Sequence, residues 1–292
     1  MPHEEVAAGY QLTRAGLRRP ISQLSRHHLE HGIPLVLPGL CRSWPANSKW
    51  SIAWLKQQFA EREIVAGSDR LAFGEFLDQV VAGSPANPSP YLREHFIAEW
   101  FPELLPDIRP LPADNWNRLN CRLLHGISQY RHGAPDLLIA GAGTRFPVLH
   151  YDLHHLHAFI TQVRGDKIVW LYPPDQGRFL YPRANLRNVS QISSFTPVDA
   201  NRYPDYQHAS CLEVRLAEGD AIFIPSGWWH RTQVVSTSVA VTWNVVNASN
   251  WEAFISDCYF GGNERQTAKG RVRQLRLAAV QAWLALREKS LN

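Results

Sequence analysis

The sequence predicts a mainly β chain with flanking helices, its core an antiparallel barrel or sandwich of jelly-roll type. Three observations carry this reading. Between residues 135 and 248, eight short apolar runs alternate with turn-forming breaks: "DLLIAG", "PVLHYD", "HAFITQV", "KIVWLYPP", "CLEVRL", "DAIFIP", "HRTQVV" and "SVAVTWNVV". Closely spaced runs of that length, punctuated by Gly and Pro, are the pattern of antiparallel strands. The chain before them mixes helix and strand signals, and the chain after them is helical. The expected organisation is an N-terminal α/β region over 1–135 packing on the barrel, the barrel itself over 136–248, and C-terminal helices over 249–292. Residues 175–208 are poor in strand signal and read as a long insertion between two strands.

Each flanking element has a local reason. "GIPLVLPG" (32–39) is a short apolar run between breakers, hence a buried strand. "SKWSIAWLKQQFA" (48–60) has Ser48 at a capping position and Trp50, Trp54, Leu55 and Phe59 on one helical face. "LAFGEFLDQVVAG" (71–83) is a second helix, ended by glycine, and "AGSPANPSP" (82–90) is a loop. Two helices close the chain, over 250–260 and within 264–290. In the last, Val272, Leu275, Ala279, Val280, Trp283 and Leu286 form one apolar stripe. That stripe either covers the barrel or pairs with a second copy of the chain, giving a homodimer.

Composition narrows the function without fixing it. The formal charge of +4 permits an acidic partner but does not demand one, and the chain has no long Lys/Arg run, so DNA is not an expected partner. The four cysteines, Cys41, Cys121, Cys211 and Cys258, are far apart and form no paired zinc or redox motif. The first residues lack the apolar stretch of a secretion signal, and no run is long enough to span a membrane. Free thiols in a cytoplasmic protein are the expectation.

The chemistry-bearing stretch is "PVLHYDLHHLHAFITQVRGDKIVWLYPP", with four histidines in eight residues. A strand turns its side chains over at each residue, so a His and an Asp two apart share a side. His150 and Asp152 meet that rule. "GDAIFIPSGWWH" offers His230 from a distant run, after a Pro-Ser-Gly turn. Two imidazoles and one carboxylate on one face of a metal, with the remaining positions open, is the ligand set of non-haem Fe(II) oxygenases. An isolated His-x-Asp is common by chance; the later His230 segment within an eight-run β pattern makes the combination specific. His154, His155 and His157 follow Asp152 in a loop and are either solvated, neighbours of the ligand shell, or an alternative zinc site. His208 lies in the insertion and reads as structural.

From Pro147 to Asn244 the sequence resembles the Jumonji-C/cupin-like 2-oxoglutarate oxygenases, most of all the asparaginyl hydroxylase that inhibits hypoxia-inducible factor. The shared elements are "HYD", "QVRGDK", "LYPPDQ…LYP", "DANRYPDYQ", "GDAIFIPSGWWH" and "VTWN", in family order. Weaker likeness extends N-terminally through "GIPLVLPGL" and "YLREHFIAEWFPEL". The resemblance implies a double-stranded β-helix, with His150, Asp152 and His230 binding Fe(II). It implies that Lys167 pairs with the distal carboxylate of 2-oxoglutarate, that Tyr91 bonds the same carboxylate, and that Asn244 lies near the metal end of the co-substrate. His157 and Trp243 are candidates for contact with substrate or with the ligand shell, and Trp228, Trp229 and Trp243 for apolar walls. There are departures. Lys167 follows His150 by 17 residues, two more than in that hydroxylase and as in the lysyl hydroxylase type. Pro147 stands where the family often has Thr or Ser, and Ala158–Ile160 are apolar where a polar residue is usual.

The implied reaction is hydroxylation of an unactivated C–H bond, coupled through O2 to conversion of 2-oxoglutarate into succinate and CO2. A peptide or protein side chain is the expected substrate. A free amino acid, a natural product or a tRNA base are alternatives. An O2-independent metal cupin isomerase, or a non-catalytic metal-binding module, is the competing class. The isomerase would need a fourth protein ligand and no buried lysine; the binding module would have a damaged triad.

Overall fold

A computed structural model describes residues 28, 31–112, 117–120, 134–193, 197–259 and 268–290. Its strands are β1 (Leu35–Leu37), β2 (Glu63–Ala66), β3 (Asp69–Ala72), β4 (Asp136–Ala140), β5 (Val148–His150), β6 (His157–Arg164), β7 (Lys167–Tyr172), β8 (Val189–Ser193), β9 (Leu212–Leu216), β10 (Ala221–Ile224), β11 (Trp229–Val234) and β12 (Ser238–Val245). Its helices are α1 (Pro45–Lys49), α2 (Ile52–Phe59), α3 (Phe73–Ala82), α4 (Ile97–Trp100), α5 (Trp251–Tyr259) and α6 (Ala268–Ser290). Two antiparallel five-stranded sheets form the core, in the orders β1-β10-β6-β12-β4 and β8-β5-β11-β7-β9, with β2-β3 a separate hairpin. This is the expected jelly-roll architecture.

Strand alternation sorts the residues of each sheet. In the first sheet Val36, Leu138, Ala158, Ile160, Ile222, Ile224 and Ala240 face the second sheet, where Val169, Leu171, Val214 and Trp228 meet them. The opposite face of the first sheet carries Leu35, Phe159, Phe223, Val241 and Trp243. These pack under the N-terminal region, where Trp50, Phe73, Phe76 and Phe101 have no exposed surface. Burying one such side chain contributes roughly 1.5–3 kcal/mol, so the N-terminal region is held on the barrel chiefly by aromatic packing. It also adds β1 to the first sheet by pairing Leu35–Leu37 with β10.

Three local expectations need correction. The helix expected over 48–60 is two helices, α1 and α2. The cap of α2 is Ser51, which accepts the Trp54 N–H at 3.1 Å, while Ser48 turns its hydroxyl to the Pro45 carbonyl. At the break sits buried Trp50, whose indole N–H donates to Asp107 Oδ2 at 3.1 Å. The insertion over 175–208 contains β8, which pairs with β5; its Val189 and Ile192 are buried beside Ser190. Three polar residues in "VSQIS" hid it from a hydrophobicity reading. The stripe on α6 does not cover the barrel. Leu277 docks with Val280 on Trp251, Phe254 and Ile255, while Val272, Leu275 and Leu286 are 52%, 73% and 69% exposed. Cys41 and Cys258 are free thiols, and Cys121 lies outside the described residues. No helix among the described residues is long and apolar enough to cross a membrane.

Candidate active site

β5 and β11 are neighbours, and their register places His150 opposite His230. The two imidazoles lie 4.4 Å apart between centroids. Asp152, two residues beyond His150, comes back to the same side, its Oδ1 3.9 Å from His150 Nε2. Donor atoms of the three residues all lie within 4.8 Å of one another. Metal bonds of about 2.0–2.2 Å to N and O ligands fit between donors at that spacing.

The backbone orients both rings. His150 Nδ1 lies 3.3 Å from the Val148 carbonyl and His230 Nδ1 3.1 Å from the Trp228 carbonyl. A carbonyl can only accept, so each Nδ1 carries the proton and each Nε2 keeps a lone pair for a metal. The turn holding Asp152 is braced by the insertion: Tyr151 N–H donates to the Asn188 carbonyl at 3.0 Å, and Asn188 Nδ2 donates back to the Tyr151 carbonyl at 2.9 Å. Burial, then the neighbouring His230, keeps the His150 ring well below its ordinary pKa, hence neutral as a metal ligand requires. Burial pushes the Asp152 carboxyl up, with His230 opposing. A metal cation would relieve that desolvation.

The triad opens into a cavity of about 200 Å³. At its far end is Lys167, 1% exposed, with Nζ 3.2 Å from the Tyr91 hydroxyl. Among the described residues no carboxylate pairs with it. A tight turn delivers this lysine. Gly165 has φ of +67°, and a Cβ there would sit 2.2 Å from the Thr237 carbonyl oxygen, so only glycine fits. Apolar Leu138, Ala158 and Ile160 line the cavity between the charged ends, and Asn244 lines it as well. Asn244 Nδ2 donates to the His157 carbonyl at 3.3 Å.

The structure therefore brings together His150, Asp152, His230, Lys167, Tyr91 and Asn244. It does not bring in His157 or Trp243. Trp243 follows Thr242 and precedes Asn244 on β12, so it points to the opposite face, stacked on Phe159 at 5.1 Å between centroids. His157 is buried with both nitrogens engaged. Nδ1 accepts the Ser226 N–H at 2.9 Å, so Nε2 carries the proton and donates to Ser249 Oγ at 3.0 Å. Burial holds its pKa down at about 3. His154 lies 3.2 Å from Asp257, and His208 packs against Phe179, as structural groups. Trp228 and Trp229 do point to opposite faces, and neither lines the cavity.

Arg93, Asp136, Phe146 and Thr232 are among the lining residues that the sequence reading did not single out. Phe146 joins the two halves of the site. It stacks on His150 at 5.1 Å, meets the Tyr91 ring edge-on at 5.5 Å, and lies under the Arg93 guanidinium at 5.8 Å.

The cupin-like domain is matched by residues 21–250. The chain belongs to the cupin-like domain family. Among curated proteins it is 30% identical over 231 residues to lysine-specific demethylase 8 of Danio rerio, covering 72% of this chain and 53% of that protein. It is 28% identical to lysine-specific demethylase JMJ30 of Arabidopsis thaliana, over 73% of this chain and 50% of that one. Over nearly its whole length, 91%, it is 26% identical to human tRNA wybutosine-synthesizing protein 5, of which 87% is covered. The match thus spans about half of the demethylases and most of the tRNA-modifying protein. Within this cupin-like domain the cavity is the space between the two sheets, and the candidate ligands lie on or just beyond the adjacent β5 and β11.

Proposed function

We propose that the chain is an Fe(II)- and 2-oxoglutarate-dependent oxygenase that hydroxylates an unactivated C–H bond, in the first place on a peptide or protein side chain. The observation that carries this reading is Lys167: a buried cation with no carboxylate partner among the described residues, in the same cavity as the His150–Asp152–His230 triad. A buried charge is costly unless something pairs with it, and a dicarboxylate entering the cavity would do so. Ferrous iron with 2-oxoglutarate and O2 would supply the oxidising chemistry, yielding succinate and CO2. The three ligands would hold the ion, Lys167 and Tyr91 would bind the distal carboxylate, and the apolar walls would keep water from the reacting centre. Asn244 would border the metal end of the co-substrate.

The metal isomerase reading finds no support, since His154 and His157 are engaged elsewhere and neither belongs to the metal-binding cluster. A tRNA base is a second substrate reading, favoured by the nearly full-length match to a tRNA wybutosine-synthesizing protein. The test is succinate formation from 2-oxoglutarate under Fe(II) and O2, with peptide pools and unmodified tRNA assayed in parallel for a mass gain of one oxygen. Succinate lost in Asp152→Ala, with an oxygenated peptide, supports the primary reading. Oxygenated tRNA alone selects the second. No metal-dependent succinate under any condition contradicts both.

A further inference from the structure

We propose that Thr232 binds the distal carboxylate of the co-substrate through its hydroxyl. The inference rests on the oxygenase reading and adds to it a binding residue. Inward-facing residues of the second sheet form rows across the strands. His230 lies between His150 on β5 and Leu171 on β7, which makes the metal row. Thr232 lies opposite Val169, and its carbonyl accepts the Phe146 N–H at 3.0 Å, so the next row is Phe146, Thr232, Val169. Val234 lies opposite Lys167 in the third row. Successive rows are about 6.6–6.8 Å apart, two residues of strand.

The lysine thus starts two rows from the metal, yet its ammonium is drawn back to Tyr91, whose ring rests on Phe146 of the middle row. A short dicarboxylate held at one end by the metal would place its other end over that row. Thr232 is its central residue, lines the cavity, and is 5% exposed. Among the described residues its hydroxyl has no hydrogen-bond partner. Its neighbours Phe146 and Val169 offer the carboxylate no donor.

The test is anaerobic binding, followed by tryptophan fluorescence with Mn(II) in place of Fe(II), of 2-oxoglutarate and of 2-oxobutyrate, which lacks the distal carboxylate. Thr232→Val should weaken 2-oxoglutarate about tenfold or more, the worth of one hydrogen bond to a charged group. It should leave 2-oxobutyrate and Mn(II) affinity unchanged. Thr232→Ser, which keeps the hydroxyl, should bind 2-oxoglutarate within about threefold of the wild type. Equal weakening of both keto acids in Thr232→Val, or no weakening of either, overturns the role of Thr232 while leaving the oxygenase reading intact. A wild-type protein that binds Mn(II) but not 2-oxoglutarate overturns both.

Discussion

Asp136 begins β4 at the cavity wall with Oδ2 accepting the Glu94 N–H at 2.9 Å and Oδ1 buried without a partner. Burial pushes its carboxyl up to about 6 from 3.8. The folded state therefore binds the proton more tightly than the unfolded one, and the cost of the charge is fully present above pH 6 and relieved as pH falls toward 4. Asp136→Asn should raise stability by roughly 1–3 kcal/mol at neutral pH and by little near pH 4. Melting curves across that range check it; an equal gain at both ends would contradict the assignment. Lys167→Met keeps the stem and removes the charge. It should weaken 2-oxoglutarate at least tenfold, as loss of a charge-assisted bond implies, while leaving the melting temperature equal or higher. Unchanged affinity, measured by titration, would remove Lys167 from the co-substrate site. At this scale the triad was legible because ligand spacing on a strand is a parity rule. Phe146, Thr232 and Asp136 were not, because ordinary residues become site residues only through their row neighbours. Trp243 and His157 were marked by their chemistry, but parity and hydrogen bonding send them elsewhere.

Two elements decide how the site is held. β8 was invisible to hydrophobicity because it is short and half polar, yet it flanks β5 and is followed back to Asn188, which clamps Tyr151. Asn188→Ala removes the side-chain half of that clamp. It should lower metal affinity with little effect on the fold, as loss of groups supporting a ligand typically costs about 10–100-fold. Metal titration against circular dichroism separates the two effects, and an unchanged metal affinity would show the clamp to be dispensable. At the other end of the chain, the periodicity of α6 was read correctly as helix but not in which face docks. Stripe analysis centres on the most apolar line, whereas docking follows where Trp251 and Phe254 happen to lie. Leu277→Ala should destabilise the attachment of α6 by about 2–4 kcal/mol, the cost of an emptied buried leucine site. Hydrogen exchange along the helix reads this directly, and unaltered protection would contradict the docking. Leu275, on the outward face, is the position at which the expected homodimer is tested. Leu275→Glu should convert a dimer to a monomer in light scattering; an unchanged mass would place any dimer interface elsewhere.

Across the whole molecule, the cupin-like domain places its candidate metal triad on or just beyond two adjacent strands and buried Lys167 in the same cavity, between sheets whose facing sides are largely aliphatic. That separation of apolar walls from charged ends was legible as eight β-runs carrying two motifs; the N-terminal aromatic cover was legible only in part, as the shared face of Trp50, Trp54, Leu55 and Phe59. An unfilled site leaves desolvated charge behind, so ions and co-substrate that bind the folded state alone should raise its melting temperature with concentration. The most direct measurement is an anaerobic titration of the full chain with Fe(II) and then 2-oxoglutarate, followed by visible absorption and calorimetry. The account predicts one ferrous ion per chain, then one 2-oxoglutarate with a weak charge-transfer band, and loss of the ion in Asp152→Ala. A chain that binds no ferrous ion, or binds it equally well without Asp152, would contradict it.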